Sequence, residues 1–521
     1  MNPLFMSLLL IVGLAIFGRT MVHKIRLLMA LGPADRANHI KARLKNLVVL
    51  AMGQKRLVGR KKERSSGLMH ALIFWGFCVL VIRSLTLYGE GFIHGFQLPL
   101  FGDHYILGYL YIALKDIMEG IVLLMVIYAI IRRAVIKPER LHNTWEAYFV
   151  LGMIGVLMIS DLLYDGARYN LIVHYNNLDS LHYFNNLQYG SEFLWTPVSV
   201  GAGVFLSGLS AKAIGYVMTC MFWLHIITQL TFLNFLPLGK HFHVITALPN
   251  VYFKKLGYPH QKTKLLDLED EAAWEDESLG INHIHQLNWK QGLDLYTCTE
   301  CGRCKEVCPT YITDKPLNLH DFNDKLKREL FDNAHNIVKR TRLSATIKQD
   351  GDVDQTDRIK AEMADLNSKK QLIGDVIDPD TLWACTTCRA CEEVCPVTIE
   401  HVPRIMAMRQ GQTLMAETYP KELNTALKGL ERNGNPWGIG YDKRADWANG
   451  LGVKTMADDA NVDYLLWVGC AGSFDDRTKK VSTSLVKILQ KAGISFAILG
   501  TEEKCTGDFA RRVGNEMLYQ M

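Results

Sequence analysis

The strongest chemical signal in the sequence is a pair of cysteine runs with the same spacing. CTECGRCKEVCP begins at Cys298 and CTTCRACEEVCP begins at Cys385, and each reads C-x-x-C-x-x-C-x-x-x-C-P. Such close spacing in a cytosolic-type chain favours metal ligands over disulfides. This particular spacing holds [4Fe–4S] clusters: three cysteines of a run bind one cluster, and the fourth, before proline, binds the other.

Each run is therefore incomplete alone, which explains why the pattern occurs twice. One predicted [4Fe–4S] cluster has the ligands Cys298, Cys301, Cys304 and Cys395. The other has the ligands Cys385, Cys388, Cys391 and Cys308. Zinc is the rival metal for C-x-x-C pairs, but four cysteines followed by proline, twice, favour iron–sulfur clusters. Two adjacent clusters form a path for electrons and are not a catalyst.

Histidines in apolar segments form a second group of candidate ligands. His70 opens one segment, His225 lies inside another, and His241 and His243 follow the end of that segment. Paired histidines on facing helices hold b-type haem iron, and His70 and His243 are placed to share one haem. His225 is about 27 Å of helix away from His243, so it belongs to a different level. The alternative is a packing or interfacial role for each histidine.

Charged residues in the middle of apolar segments form a third group. The stretch ALKDIMEG carries Lys115, Asp116 and Glu119, and Arg83 lies in the outer half of the preceding segment. Charges inside a membrane are costly unless they are paired or serve a polar site. Two interpretations stay open: a structural ion pair of Lys115 or Arg83 with Asp116, or a quinone pocket in which these groups, with His225, deliver protons.

Cys470 and Cys505 each follow an apolar stretch that reads as a buried strand, and each stands where a helix begins. A thiolate is stabilised at a helix N-terminus. Strand, helix, strand, helix predicts a small α/β unit. The two cysteines are candidate redox residues, with a purely structural role as the alternative.

The elements that must position these residues divide the chain in two. Long apolar runs crowd the first 240 residues, and charged residues crowd the rest. A membrane-spanning helix needs about 20 apolar residues. Five segments meet that length, at residues 3–22, 68–88, 106–131, 146–163 and 214–237. The first lacks the basic start and cleavage site of a signal peptide, so we expect a retained helix.

Basic residues in the loops predict the orientation. Residues 19–66 contain 13 Lys or Arg against 2 acidic residues. Residues 88–104 contain no Lys or Arg. Residues 132–146 contain four, and residues 164–212 contain two. This alternation predicts an N-terminus outside the inner membrane and cytoplasmic iron–sulfur domains. The net charge of +5 follows from these loops and gives no reason to expect nucleic acid as a partner.

The chain is too long for a single domain, and we expect a multi-domain protein. The fold class is an α-helical membrane bundle, an α-helical ferredoxin domain with two [4Fe–4S] clusters, and a partial α/β cysteine-rich domain. The predicted parts are the membrane domain 1–245, a connector 246–288, the ferredoxin-like domain 289–412 with a helical insertion, a linker 413–458 and the cysteine-rich domain 459–521. A nucleotide-binding glycine motif is absent, so any flavin must come from a partner.

The stretch LHIITQLTFLNFLPLGKHFH resembles the last helix of the nitrate reductase gamma-subunit family of dihaem cytochromes b. That resemblance implies haem ligands at His225 and His243. It also implies two partners ten residues apart on the second helix, where this chain has His70 but Leu80. One haem b on His70 and His243 is therefore expected, and a second haem on His225 lacks its expected partner.

The C-terminal part resembles the cysteine-rich domains of heterodisulfide reductase catalytic subunits and of glycolate and glycerol-3-phosphate oxidase iron–sulfur subunits. Those domains use a Cys, a Cys-Cys-Gly motif and a later C-x-x-C to hold a special iron–sulfur cluster. Here Cys470 and the CTG at Cys505 match the first two, Thr506 replaces the second cysteine of the motif, and the chain stops at Met521. We therefore expect an incomplete domain and a further cluster only in its complete form.

The whole order resembles the bacterial membrane iron–sulfur-binding reductases, also on the stretches CTGDFARRVGNE and KHFHVITALPN. The resemblance implies an oxidoreductase that passes electrons from a soluble electron-transfer flavoprotein, through the clusters and haem b, to menaquinone in the membrane. Two alternatives stay open: a quinol-linked disulfide reductase of the heterodisulfide type, and a membrane anchor and relay for a 2-hydroxy-acid dehydrogenase.

Overall fold

The structure, a computed structural model, describes residues 2–102, 105–141, 143–175, 194–257, 265–271, 274, 279–350, 353–366 and 370–521. The N-terminal half contains the helices α1 (Pro3–Ala30), α2 (Ile40–Asn46), α3 (Lys55–Val58), α4 (Arg64–Glu90), α5 (Ile106–Ile131), α6 (Trp145–Tyr175), α7 (Pro197–Val204), α8 (Ala211–Phe235) and α9 (His243–Tyr252). Parts of the predicted connector 246–288, at residues 258–264 and within 272–278, lie outside the described residues.

The middle of the chain is also helical. It contains α10 (Trp289–Thr297), α11 (Arg303–Glu306), α12 (Pro309–Ile312), α13 (Leu319–Asp332), α14 (Ala334–Asp350), α15 (Val353–Leu366), α16 (Pro379–Trp383), α17 (Ala390–Val394) and α18 (His401–Gln410). The C-terminal part contains α19 (Leu423–Asn433), β1 (Lys454–Thr455), β2 (Tyr464–Leu465), α20 (Gly469–Phe474), α21 (Asp476–Lys491), β3 (Phe496–Ile498), α22 (Asp508–Arg512) and α23 (Glu516–Gln520).

Short π- and 3₁₀-helical turns join or extend these elements. The π-helical turns are Leu47–Met52, Arg132–Ile136 and Gly411–Met415. The 3₁₀ turns are Lys61–Glu63, Leu236–Leu238, Lys240–Phe242, Ile284–Gln286, Tyr441–Lys443, Asp446–Ala448 and Gly500–Glu502.

Four helices of the described chain are long and apolar enough to cross a membrane. They are Pro3–Ala30, Lys61–Glu90, Trp145–Ile172 and Ala211–Leu238. Their outer faces carry large exposed apolar side chains, such as Ile11 at 68% and Leu85 at 52% exposure. Soluble monomers rarely expose contiguous apolar surface on this scale. We call α1 and α4 to α8 the apolar bundle.

The fifth predicted span, 106–131, forms the helix α5 but does not belong to that set of four. Lys115, Asp116 and Glu119 interrupt its apolar composition near the middle. It packs against α4 and α6, and all three charged side chains are buried there. A count of five spans therefore stays a prediction.

The clusters' cysteine loops are fixed by a core that joins the two halves of the chain. Leu27 and Leu31, at the C-terminal end of α1, pack in the same buried cluster as Leu326 and Leu330 of α13. Tyr296 is fully buried in that cluster, and its hydroxyl donates to the Lys24 carbonyl at 3.2 Å. The apolar bundle and the cysteine loops are thus held in one fixed relation.

The C-terminal unit is α/β, with a parallel sheet in the order β1-β3-β2. Lys454 of β1 pairs with Ala497 of β3, so the predicted linker 413–458 contributes a strand and the unit begins before residue 459. The strand before Cys470 was expected to be buried, but β2 is an exposed edge strand with Tyr464 at 63% exposure. It has a neighbour on one side only, which explains the difference.

Candidate metal centres

The first predicted cluster set lines a single cleft. Its lining includes the four predicted ligands Cys298, Cys301, Cys304 and Cys395. In the part of the chain that the structure describes, no three His, Cys, Asp or Glu side chains converge closely enough to hold a single metal ion. The four thiols line one shared cleft, as the ligands of one multi-iron cluster must do.

The thiols of the second predicted set also lie close enough to interact with one another. They are Cys308, Cys385, Cys388 and Cys391. The Thr310 hydroxyl lies 2.9 Å from Cys308 Sγ, and the Thr387 amide donates to Cys385 Sγ at 3.4 Å. Both cross-run sets are thus brought together by the fold.

The two cysteine loops share an unusual backbone. Glu300 and Gly302 have φ of 53° and 71°, and the corresponding Thr387 and Arg389 have φ of 57° and 62°. Left-handed residues in such a loop let successive backbone amides face an anionic group. Non-glycine residues hold this conformation only where the surroundings enforce it, and such strain clusters at functional sites.

The raised pKa values of these thiols indicate that they need a nearby positive charge, such as iron, to become thiolates. Burial raises the pKa of Cys298 to about 11 and the pKa of Cys395 to about 12. Cations and hydrogen-bond donors are needed to hold them as thiolates, and the Ile399 amide already donates to Cys395 Sγ at 3.4 Å. The residues present therefore fit two [4Fe–4S] clusters, which supply electron-carrying chemistry when bound.

His70 of α4 and His243 at the start of α9 face each other. Their ring centres are 6.4 Å apart and the rings are tilted by 35°. When two histidines bind one metal from opposite sides, each metal–nitrogen bond is about 2 Å long and each ring centre lies about 1 Å beyond its nitrogen. The two ring centres are then about 6 Å apart. His243 Nδ1 donates to the Lys240 carbonyl at 2.8 Å, which leaves Nε2 to bind metal. Burial lowers the pKa of His243, so the neutral ligand form is favoured.

His241 and His225 have other partners. His241 Nδ1 lies 3.2 Å from Glu146 Oε1, and burial lowers the pKa of His241 to about 3. His225 Nδ1 contacts the Ser160 hydroxyl at 3.1 Å and the Leu157 carbonyl at 3.2 Å. The position at which the resemblance implies a second haem ligand holds Leu80, which packs with apolar neighbours.

The charged residues of the predicted quinone region meet carboxylates from α6 that were not among the predicted site residues. Arg83 pairs with Asp161 at 3.0 Å and with Asp165 at 2.7 Å. Lys115 pairs with Asp165 and, at 3.2 Å, with Glu119. Asp161 and Asp165 are spaced i, i+4 in an otherwise apolar helix, and that spacing was a usable signal.

Asp116 has a different partner from the ion pair considered from the sequence. It accepts hydrogen bonds from the backbone amides of Val198 and Ser199, at 2.8 and 2.9 Å, and from the Ser199 hydroxyl at 2.5 Å. A carboxylate at the N-terminus of a helix, here α7, is stabilised by the unpaired amides there. Asp116 therefore anchors α7 to α5 and pairs with neither Lys115 nor Arg83.

Cys470 and Cys505 come together in the C-terminal unit. The Cys470 thiol hydrogen-bonds to Cys505, which lowers the pKa of Cys505 to about 6 and raises that of Cys470. Both Arg444 terminal nitrogens lie 3.5 Å from Cys470 Sγ. The Glu503 carboxylate accepts a hydrogen bond from the Arg444 guanidinium at 2.7 Å and another from the Gly469 amide at 2.8 Å. Arg444 and Glu503 were not predicted, because their partners are distant in sequence.

Arg409 of α18 ties this unit to the second cysteine loop. It donates to the Cys385 carbonyl at 2.7 Å and to the Arg512 carbonyl at 3.0 Å. Thr413 adds a hydrogen bond of 2.7 Å to the Val513 carbonyl. The Cys308/385/388/391 set is therefore the one next to the Cys470–Cys505 pair.

The first cysteine loop lies against the apolar bundle instead. Gly302 packs so closely on the Arg140 backbone that a Cβ would clash with its carbonyl oxygen. Glu63, just before α4, is buried and pairs with Arg303 at 2.8 Å and with Arg140 at 2.5 Å. The sites therefore run in one order: the Cys470–Cys505 pair, the second cluster set, the first cluster set, then the histidine pair.

Comparisons with known proteins identify the region of the two cysteine runs. A family model described as a 4Fe-4S dicluster domain matches residues 294–399. The chain is 33% identical over 505 residues to a probable iron-sulfur-binding oxidoreductase, FadF, from Bacillus subtilis. It is also 33% identical over 506 residues to an EtfAB:quinone oxidoreductase from Syntrophomonas wolfei. The chain belongs to this family of iron–sulfur oxidoreductases.

These two matches cover 92% and 95% of the chain and 66% of each relative, so the chain spans about two thirds of their length. A component of the dihydromethanophenazine:CoB–CoM heterodisulfide reductase from Methanosarcina mazei is 26% identical over 226 residues, which are 43% of this chain and 48% of that protein. No solved structure matches the chain at a significant level.

Proposed function

We propose that the chain is a membrane-bound oxidoreductase that carries electrons from a reduced cytoplasmic electron-transfer flavoprotein to menaquinone. The carrying observation is the order of its sites. Electrons would enter at the cysteine-rich domain. The two cysteine sets would hold [4Fe–4S] clusters, and His70 and His243 would hold haem b; these groups would supply one-electron carriers between that domain and a quinone in the apolar bundle. The name of the Syntrophomonas wolfei relative supports both the donor and the acceptor class.

The proposal includes five membrane spans, with α5 as the fifth, an outer N-terminus and cytoplasmic clusters in the inner membrane. The charges of α5 do not oppose this, because each is paired or hydrogen-bonded inside the bundle. Paired charges inside a membrane mark substrate or proton pathways. We place the quinone head group beside Arg83, Lys115 and Glu119, where Asp161 and Asp165 are also available to move protons.

The test is the visible spectrum of the purified full-length protein, without oxygen, after reduced electron-transfer flavoprotein is added. A reduced b-type haem band that a menaquinone analogue discharges is the expected result. A Cys301→Ser variant is the matched control, since it removes a cluster ligand while both haem histidines remain. No reduction of the wild-type haem by the flavoprotein would overturn the donor assignment.

One second function has an observation in its favour. The Cys470–Cys505 pair beside Arg444 is a polarised thiol site, and the similarity to the Methanosarcina mazei heterodisulfide reductase component favours a quinol-linked disulfide reductase. That enzyme would let a dithiol reduce the haem. Haem reduction only by an added 2-hydroxy-acid dehydrogenase with its substrate would instead favour the relay role.

A further inference from the structure

Arg404 of α18 is a fully buried cation that lacks an adequate partner. Its side chain is 0% exposed, and one terminal nitrogen donates to the Asn323 amide oxygen. Its Nε and other terminal nitrogen have no hydrogen-bond partner among the described residues. Its remaining contact is weak, since the guanidinium lies 6.0 Å from the Phe322 ring centre.

Other buried arginines of this chain are satisfied differently. Arg43, 2% exposed, donates to the carbonyls of Asn38, Tyr252 and Lys254 at 2.5 to 3.0 Å. An ionised group without such partners is expensive to bury, and removing one member of a buried pair costs about 3–5 kcal/mol. The charge of Arg404 therefore needs an anion that its own hydrogen bonds do not provide.

Cys298 and Cys391 are among the acidic groups that act on Arg404. Cys298 belongs to one cluster set. Cys391 belongs to the other, and its helix, α17, packs against α18, so Arg404 lies where it can act on both. Asp294, the strongest of those groups, already binds Lys290 at 2.7 Å and Asn250 at 3.0 Å. Glu392 also acts on Arg404, but it pairs with Arg389 at 3.7 Å. The cluster thiolates supply further negative charge near Arg404.

Asn323 connects Arg404 to a ligand sulfur. Its amide nitrogen lies 3.7 Å from Cys298 Sγ and also 3.4 Å from His401 Nδ1. Arg404 holds the oxygen end of the same amide, which turns the nitrogen end towards the thiol. Hydrogen bonds to ligand sulfurs and nearby charge are the terms by which a protein adjusts the potential of an iron–sulfur cluster.

We propose that Arg404 sets the reduction potential of both clusters through its charge, and that it positions Asn323 as a hydrogen-bond donor to Cys298. The inference rests on the cluster assignment in the proposed function. A reduced cluster carries one more negative charge than an oxidised one. A fixed cation stabilises the reduced state more, and therefore raises the potential.

The test is a potentiometric titration of the purified holoprotein, in which the paramagnetic resonance signals of the reduced clusters are recorded. We expect Arg404→Gln to lower the equilibrium constant for reduction about tenfold, equal to 59 mV for a one-electron couple. Arg404→Lys keeps the charge and recovers part of the shift. Asn323→Leu gives a smaller fall, confined to the Cys298 cluster, and Arg43→Gln is the matched control with no shift.

Unchanged potentials in Arg404→Gln with full iron and sulfide content would overturn the proposal. If that variant assembles no clusters, the charge-removing Arg404→Met and the Asn323→Leu variant decide: wild-type potentials in both variants would equally overturn it. Failure of the proposed function looks different, because a wild-type protein without [4Fe–4S] signals would remove the cluster assignment itself.

Discussion

His243 is prepared for metal binding by a single backbone contact. The Lys240 carbonyl accepts the Nδ1 proton and so fixes the tautomer that presents Nε2. His70 lies opposite on α4, within the span of a shared iron. His225 is engaged by Ser160 and Leu157 instead.

We expect His70→Ala and His243→Ala each to abolish the b-type haem band, because each removes one of the two histidines that would hold the haem. His225→Ala should retain it, since no second haem ligand stands opposite at Leu80. Pyridine haemochrome analysis measures haem per protein, and His241→Ala serves as a control that keeps the haem. A loss of half the haem in His225→Ala would contradict a single-haem site.

The sequence offers candidate ligand residues by their spacing, whereas it does not offer the residues that support them. The local spacing of the eight cysteines indicates two sets of four. The fold brings the members of each set close together. Arg444 contacts Cys470 from 26 residues away, and Glu503 binds the neighbouring Gly469 amide from 34 residues away, so no local pattern links them. Asp165 was missed because the predicted fourth span ended at residue 163, although the helix continues to Tyr175.

At the scale of elements, close backbone contacts decide which parts can communicate. The first cysteine loop lies on the Arg140 backbone through Gly302, and Glu63 pairs with arginines from both sides of that contact. The helix α4 leads from Glu63 directly to His70. The contact therefore fixes the separation of the first cluster from the histidine pair.

We expect Gly302→Ala to slow electron transfer from the clusters to the haem by at least about tenfold, because a Cβ would push the loop off Arg140. Rapid-mixing absorbance after dithionite reduction of the clusters measures this rate. Gly450→Ala separates strain from displacement: its φ of 78° is similar to that of Gly302, but a Cβ there meets open space. Equal rates for both variants would contradict a positioning role.

Asp165 joins α4, α5 and α6 through Arg83 and Lys115. Asp165→Asn removes a negative charge that pairs with the buried Arg83 and Lys115. It should lower the free energy of unfolding by about 3–5 kcal/mol. Quinone reduction should fall, while haem reduction by the flavoprotein persists. Thermal denaturation in detergent and single-turnover spectra measure the two effects, and Asp35→Asn is the matched control in a loop outside the bundle. Wild-type quinone turnover in Asp165→Asn would exclude this region as the quinone site.

At the scale of the whole molecule, the sites form one path from the C-terminal unit into the apolar bundle. Composition predicted the division into an apolar and a charged half, and the structure adds how the halves are joined, through Leu27, Leu31 and Tyr296. Long-range packing of this kind leaves no periodic trace in the sequence. The path has a consequence along α4, because Arg83 lies 13 residues beyond His70, about 20 Å further along the helix.

A quinone site beside Arg83 would lie about 20 Å beyond the haem iron in a hydrocarbon core about 30 Å thick. An electron moving outward gains about 2.3 kcal/mol per 100 mV for a full crossing when the cytoplasm is negative, so about 1.5 kcal/mol for this fraction. Reduction of one quinone takes two electrons, so the total is about 3 kcal/mol, and we expect an uncoupler to lower the quinol-to-quinone ratio about a hundredfold in sealed inverted vesicles that maintain such a potential. Detergent-solubilised protein should show no change. Turnover in sealed vesicles that is indifferent to the uncoupler would place the quinone at the level of the haem, near the cytoplasmic face.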